Sequence, residues 1–198
     1  MIERAIISVY DKTGLDELVK VLERFNVEII SSGGTAKRIE EIGYEKLIEV
    51  SSYTGHPESP GGLVKTLHPK IHGGLLLDNE NPQHRKWMKE NDVKPIDLVV
   101  CNLYPFEKVV SEGAELKTAC ENIDIGGPTM TRSAAKAGLL YDSACIVTSI
   151  DQYDEIIQEL EKNEGEISTS TRRKLALEAF KRTRNYDNSI VDYLEEQL

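Results

Sequence analysis

Cysteine is scarce in this chain, with three among 198 residues. Cys101, Cys120 and Cys145 include no CxxC pair. An odd number without paired spacing argues against disulfide stapling and for reduced thiols. Long apolar runs are missing as well. The opening "MIERAIISVYDK" has too short an apolar stretch for a signal peptide. Nothing approaches the ~20 apolar residues that span a bilayer, so the expected compartment is the cytoplasm. Positive charge is in deficit too: Lys and Arg total 24 against 34 Asp and Glu, a formal charge of -10. That balance excludes a general nucleic-acid binder, which needs a basic face, so any basic site must be local. No internal repeat or low-complexity tract is present.

Short β-branched runs alternate with helical patterns. "AIISV" (5–9), "VEIISS" (27–32), "KLIEV" (46–50), "DLVVCN" (97–102) and "ACIVT" (144–148) read as strands of a mostly parallel sheet covered on both faces, a three-layer α/β fold. In "GLDELVKVLERF", Leu15, Leu18, Val19 and Leu22 recur at helical spacing, and "TAKRIEEIG" predicts a second helix closed by Gly43. "SSYTGHPESPGG" is rich in turn residues and reads as a functional or mobile loop. Beyond Ile150 the pattern is helical almost throughout. It predicts an α/β catalytic unit over residues 1–150 and a helical extension over 151–198, packed on or beside it.

In an open parallel sheet, ligands sit beyond the carboxyl ends of the strands, where the polar clusters of this chain fall. "SSGGT", from Ser31 to Thr35, joins a strand to a helix. It suits either a phosphate on free backbone N–H groups, with Lys12 as neutralising charge, or a tight turn with a Thr N-cap. "DIGGPTMTRSAAK" is a second Gly-rich helix entry, with Arg132 and Lys136 one turn apart. It fits either a proton-transfer site using Asp124 and Lys136 or a capped helix with solvated cations. In "CNLYPF", Asn102 suits recognition of an amide, and Tyr104 suits either a proton relay or a core aromatic. His68 and His72 stand four apart, but the residues between them are Pro69, Lys70 and Ile71, and the Glu of HExxH is missing. Structural histidines and no metal are the expectation.

Taken in series, "SVYDKTG", "SSGGTAK", "VKTLHPKIHGG", "CNLYPF", "NIDIGGPTMTRSAAK" and the tail "TRRKLALEAFKRTRNYDNSIVDYL" resemble the IMP cyclohydrolase domain of the bifunctional purine-biosynthesis enzyme. The resemblance covers nearly the whole chain. It implies a methylglyoxal-synthase-like fold, a homodimer, and closure of 5-formamidoimidazole-4-carboxamide ribotide (FAICAR) to IMP with loss of water. No metal or redox cofactor is implied, and a separate or missing formyltransferase would supply the substrate. By resemblance, Lys65 stabilises the formyl oxygen, Asp124 orients or deprotonates the carboxamide, and Lys136 with Tyr104 moves the protons. Asn102 and the backbone of Asp124, Ile125 and Gly126 hold the base. Lys12, Ser32, Gly33, Gly34, Thr35 and Thr66 hold the phosphate and ribose end, with Tyr10, Asp11, Leu63, Val64 and Cys101 as further contacts. Two positions depart from the family pattern: Leu63 stands where Arg is common and Tyr10 where Ser is common. The first loses a bidentate anion partner. A methylglyoxal synthase and a non-catalytic nucleotide-sensing module of the same fold are the competing readings.

Overall fold

The computed structural model describes residues 1–198. All five strands form where the β-branched runs predict them: β1 (Arg4–Val9), β2 (Glu28–Ser31), β3 (Leu47–Glu49), β4 (Leu98–Asn102) and β5 (Cys145–Val147). They pair in parallel in the order β3-β2-β1-β4-β5. The chain grows outward from β1 to β3, then returns to the other side of β1 with β4. This reversal leaves a crevice at the carboxyl ends of β1 and β4.

Alternation along each strand divides the core between two faces. Ala5, Ile7 and Val9 of β1 face one way with Leu98 and Val100 of β4, while Ile6, Val99 and Cys101 face the other. The first face is covered by α1 (Leu15–Arg24), α2 (Gly33–Ile42) and α9 (Tyr153–Lys162) through Leu18, Leu22, Ile39, Ile156 and Leu160. The second is covered by α4 (Pro69–Leu76), α8 (Gly126–Tyr141) and α10 (Thr169–Gln197), through Ile71, Leu75, Met130, Ala134, Ala176 and Ala179. The remaining helices are α3 (Val50–Thr54), α5 (Pro82–Glu90), α6 (Phe106–Ser111) and α7 (Leu116–Glu121). No helix is long and apolar enough to cross a membrane.

Several local expectations change. The helix predicted from Thr35 begins at Gly33, with Ser32 at its N-cap, and closes at Gly43 in the left-handed conformation. Thr35 is therefore no cap. Its hydroxyl accepts the Val9 N–H at 3.1 Å and donates to the Val9 carbonyl at 3.0 Å, tying α2 to β1. Residues 51–54, read as loop, form most of α3. The C-terminal segment joins both cores, and 29 residues of it form one continuous helix, α10. Arg172, 8% exposed, anchors its first turn by donating to the carbonyls of Ile167 and Ser143, each at 3.1 Å.

A glycine lets α8 pack against the segment that leads into β5. A Cβ on Gly138 would lie 2.6 Å from the Ala144 carbonyl oxygen, a backbone atom that cannot step aside. Helix propensity alone favours Gly→Ala by about 1 kcal/mol, whereas overpacking a rigid neighbour costs about 1–3 kcal/mol or more. Gly138→Ala is therefore expected to lower the denaturation midpoint. A gain in stability in urea titration would show that the backbone at Ala144 yields more readily than this packing implies.

Candidate active site

A cleft of about 570 Å3 lies at the carboxyl ends of β1, β2 and β4, a size suited to a nucleotide. One end is built for an anion. Ser32, Gly34 and Thr35, at the start of α2, line it, and the Lys12 ammonium lies over Gly34 while donating to the Tyr10 carbonyl at 3.2 Å. The Lys65 ammonium flanks Gly33 from the other side, 3.3 Å from where a Cβ would stand. Two cations and the positive end of a helix dipole thus converge in a chain of strong net negative charge.

The opposite end is the start of α8. Asp124 accepts the Gly127 N–H through Oδ1 at 2.8 Å, and its Oδ2 lies 3.5 Å from the Tyr104 amide. Its own N–H donates to the Tyr186 hydroxyl of α10 at 2.7 Å. Gly126 and Gly127 have no room for a side chain: a Cβ at the first would overlap the Thr66 hydroxyl and at the second the Asp124 carboxylate. Thr66 is thereby held against the helix entry. Tyr104 and Tyr10 meet at the mouth with ring centroids 4.7 Å apart and planes tilted by 58°, each 45% exposed.

Lys65 stands between this cleft and a smaller cavity of about 100 Å3 lined by Glu49, Glu58, Val64, His56 and His68. Its ammonium lies 3.5 Å from Glu58 Oε1. Burial, with the neighbouring charges of Glu58 and Glu40, pushes the Glu49 carboxyl above its usual range, opposed by Lys65. His68 caps α4, its Nδ1 accepting the Lys70 N–H at 3.1 Å, and His72 Nδ1 lies 3.0 Å from Ser133 Oγ. Burial lowers the pKa of both imidazoles. Each ring thus makes a hydrogen bond within the protein through Nδ1.

Of the residues singled out in the sequence, Tyr10, Lys12, Ser32, Gly34, Leu63, Lys65, Thr35, Thr66, Asn102, Tyr104, Asp124, Ile125 and Gly126 line the cleft. Others do not. Cys101 is 1% exposed beneath it, its thiol pushed up to about 12 by burial. Asp11 turns away to accept the Thr13 N–H at 2.9 Å, which lowers its pKa. Val64 faces the smaller cavity, and Gly33 supplies space beside Lys65. Asn102 lines the cleft, but its amide is engaged elsewhere: Oδ1 accepts the N–H groups of Tyr10 (2.6 Å) and Asp11 (3.1 Å), and Nδ2 donates to the Asp11 carbonyl (2.8 Å). It fixes the loop after β1. Arg132 packs over the Phe180 ring at 5.5 Å, and Lys136 is an exposed residue outside the cleft lining.

Sequence reasoning missed Ser8, Gly62, Glu121, Asn122 and Gly127 in the cleft wall, and Tyr186 behind Asp124. Gly62 could have been found from the paired glycines before the "VKTLHP" run; a Cβ there would lie 2.8 Å from Glu58 Oε1. Nothing in spacing points from Tyr186 to a residue 62 positions earlier.

Comparison with known proteins adds the family. The MGS-like domain family matches residues 14–129, and the family described as "AICARFT/IMPCHase bienzyme" matches 134–198. The chain is 50% identical over 195 residues to the "Bifunctional purine biosynthesis protein PurH" of Persephonella marina, covering 98% of this chain and 37% of that protein. It is 47% identical over 197 residues to the protein of the same name from Bradyrhizobium diazoefficiens, covering 100% of this chain and 36% of the relative. The chain therefore spans little more than a third of these curated relatives. A solved structure described as "Crystal structure of ForH" superposes with a TM-score of 0.81 at 29% identity, over 96% of this chain and 98% of that one. With more than half of its residues matched, and with the parallel sheet and the cleft at its carboxyl edge, this chain belongs to the MGS-like domain family.

Proposed function

We propose that this chain is an IMP cyclohydrolase, closing FAICAR to IMP with release of water, and that it works in the cytoplasm on substrate formylated by a separate enzyme activity. The observation that carries this reading is one cleft with an anion cradle at one end and Lys65, Thr66, Tyr104, Asp124 and the α8 entry around the rest. Near-complete coverage of the chain by proteins named for purine biosynthesis supports the substrate class.

The reaction joins two groups of one imidazole. The carboxamide nitrogen attacks the formyl carbon, a C–N bond forms and the carbonyl oxygen takes up negative charge. One proton leaves the carboxamide nitrogen and the oxyanion is protonated to a hydroxyl; that hydroxyl takes a second proton as the C–O bond breaks and water departs, while the former formamide nitrogen loses its hydrogen to form the C=N bond that aromatises the ring. Holding both arms in the closing conformation supplies much of the rate advantage. Lys12 and the α2 entry fix the phosphate, which sets the distance of the base from α8. At that end Asp124, its carboxylate locked by the Gly127 N–H, receives or orients the carboxamide hydrogens. The unbonded amides at the α8 entry stabilise the oxyanion, and the Lys65 ammonium, which rests beside Gly33 and Glu58 in the unliganded cleft, reaches across to the same oxygen once substrate is bound, a role worth about 3–4 kcal/mol per well-placed donor. Tyr104 relays the proton to the departing oxygen.

Lys136 requires a second subunit. It lies six residues beyond Met130, the last α8 residue in the cleft wall, about 9 Å along the helix axis at 1.5 Å per residue, and it is exposed outside that wall, so we assign it to no cleft of its own chain. A homodimer brings it to the partner's cleft, and exposed Leu139, Leu140 and Tyr141 beside it supply apolar contact area.

Purified chain should convert FAICAR to IMP, followed by ultraviolet absorbance, with chelator present. Lys65→Ala and Asp124→Ala should each lower kcat about 100-fold or more, with thermal midpoints near that of the unaltered protein. A folded protein that binds IMP without turning FAICAR over would instead be a nucleotide sensor.

Lys136→Ala and Asp124→Ala proteins, each inactive alone, should regain roughly a quarter of normal activity when mixed through unfolding and refolding, because half the dimers are mixed and each has one intact site. Absence of recovery despite mixed-dimer formation removes Lys136 from the partner's site.

Leu63 is 73% exposed on the cleft rim. Leu63→Arg should tighten IMP binding about 3- to 10-fold at low salt, and less at high salt, by adding a partly screened charge-assisted contact to phosphate. An unchanged Kd by calorimetry would show that the phosphate lies beyond reach of position 63.

A further inference from the structure

We propose that Tyr186 is a positioning residue for the reaction, acting through Asp124 from the middle of the C-terminal helix; the inference rests on the cyclohydrolase reading of the cleft. Asp124 sits in the short turn between α7 and α8, without secondary structure of its own. Its carboxylate is held by Gly127, but its backbone is held by α10. The Asp124 N–H donates to the Tyr186 hydroxyl at 2.7 Å. Tyr186 itself is 3% exposed and packs edge-on against Phe106, with centroids 6.3 Å apart. Burial raises its pKa, so the phenol stays protonated and available as a neutral acceptor through the physiological range. A rigid ring in a filled core thus fixes the height at which the peptide before α8 enters the cleft.

Other polar side chains of α10 make comparable contacts that lead away from the cleft. Ser189 Oγ donates to Glu107 at 2.9 Å, and the Tyr193 hydroxyl donates to the Ala114 carbonyl at 3.0 Å. Tyr193 also packs edge-on against Phe106, with centroids 5.8 Å apart, and is 7% exposed. Ala114 does not line the cleft. Tyr193 therefore matches Tyr186 in helix, burial and aromatic neighbour, and differs in what its hydroxyl holds. It is an internal control for a merely structural effect.

The test compares Tyr186→Phe, Tyr193→Phe, Asp124→Asn and the Tyr186→Phe/Asp124→Asn double variant in the full chain. Both phenylalanine variants keep the ring and should lose similar stability. Tyr186→Phe should lower kcat about 5- to 20-fold, the scale of one well-placed hydrogen bond, with KM changed less than about threefold. Tyr193→Phe should leave kcat within about twofold. On the Asp124→Asn background, Tyr186→Phe should cost no further activity, because the group it positions is already disabled. Amide hydrogen exchange over residues 123–127 should accelerate in Tyr186→Phe and not in Tyr193→Phe. Wild-type kcat in Tyr186→Phe, equal losses in both phenylalanine variants, or multiplicative losses in the double variant would overturn the inference. If the unaltered chain does not turn FAICAR over, the cyclohydrolase reading falls. In that case the exchange data alone decide whether Tyr186 pins Asp124, and unchanged exchange sinks the inference too.

Discussion

The cleft depends on the absence of two side chains at the start of α8. Without a Cβ at Gly126, the Thr66 hydroxyl can lie against the helix entry; without one at Gly127, the Asp124 carboxylate can fold back onto that residue's N–H. A methyl group at either place would displace the loop carrying Lys65 and Thr66 or the turn carrying Asp124. The helix entry can therefore present backbone donors and a carboxylate to one ligand at once. This is the arrangement a ring closure needs when one arm loses a proton and the other gains charge.

That contact is possible only because of the chain reversal in the sheet. β1 and β4 are neighbours, so the loop after β1 and the segment after β4 meet, with Asn102 binding the backbone of Tyr10 and Asp11 across the junction. The loop between α3 and α4 comes from the β3 side and closes over them. The anion end and the reacting end thus belong to different crossovers. Their separation is set by strand pairing, which is stiffer than any of the loops themselves.

Much of this was legible in the sequence, and the part that was not has a common physical cause. The five strands and the burial of Leu15, Leu18, Val19 and Leu22 follow from local periodicity, which a single sequence carries directly. The position of the cleft follows from parallel topology. What periodicity does not carry is the far partner of a hydrogen bond. Asn102 reads as a ligand contact until its amide is found engaged with the loop after β1, and Thr35 reads as a cap until its hydroxyl is found on Val9. Cys101 is a contact only by resemblance, and alternation along β4 turns it into the core. Lys136 was placed correctly on α8, but a helix of sixteen residues carries its later turns far from its entry.

Tyr10 illustrates how a departure from a family pattern acquires meaning from geometry. In sequence it is a lost small hydroxyl near an anion site. In the structure its ring packs at a tilt against Tyr104, while its backbone N–H is held by Asn102 and its carbonyl by Lys12. The ring therefore stands on a fixed base and limits the rotation of an otherwise half-exposed tyrosine. Leu63, 73% exposed, puts an apolar side chain on the rim instead. On the proposed reading, Leu63 would bear on how strongly a phosphate is gripped and Tyr10 on how the phenol at the mouth is held, so binding strength and geometric order at this cleft would be governed by separate residues.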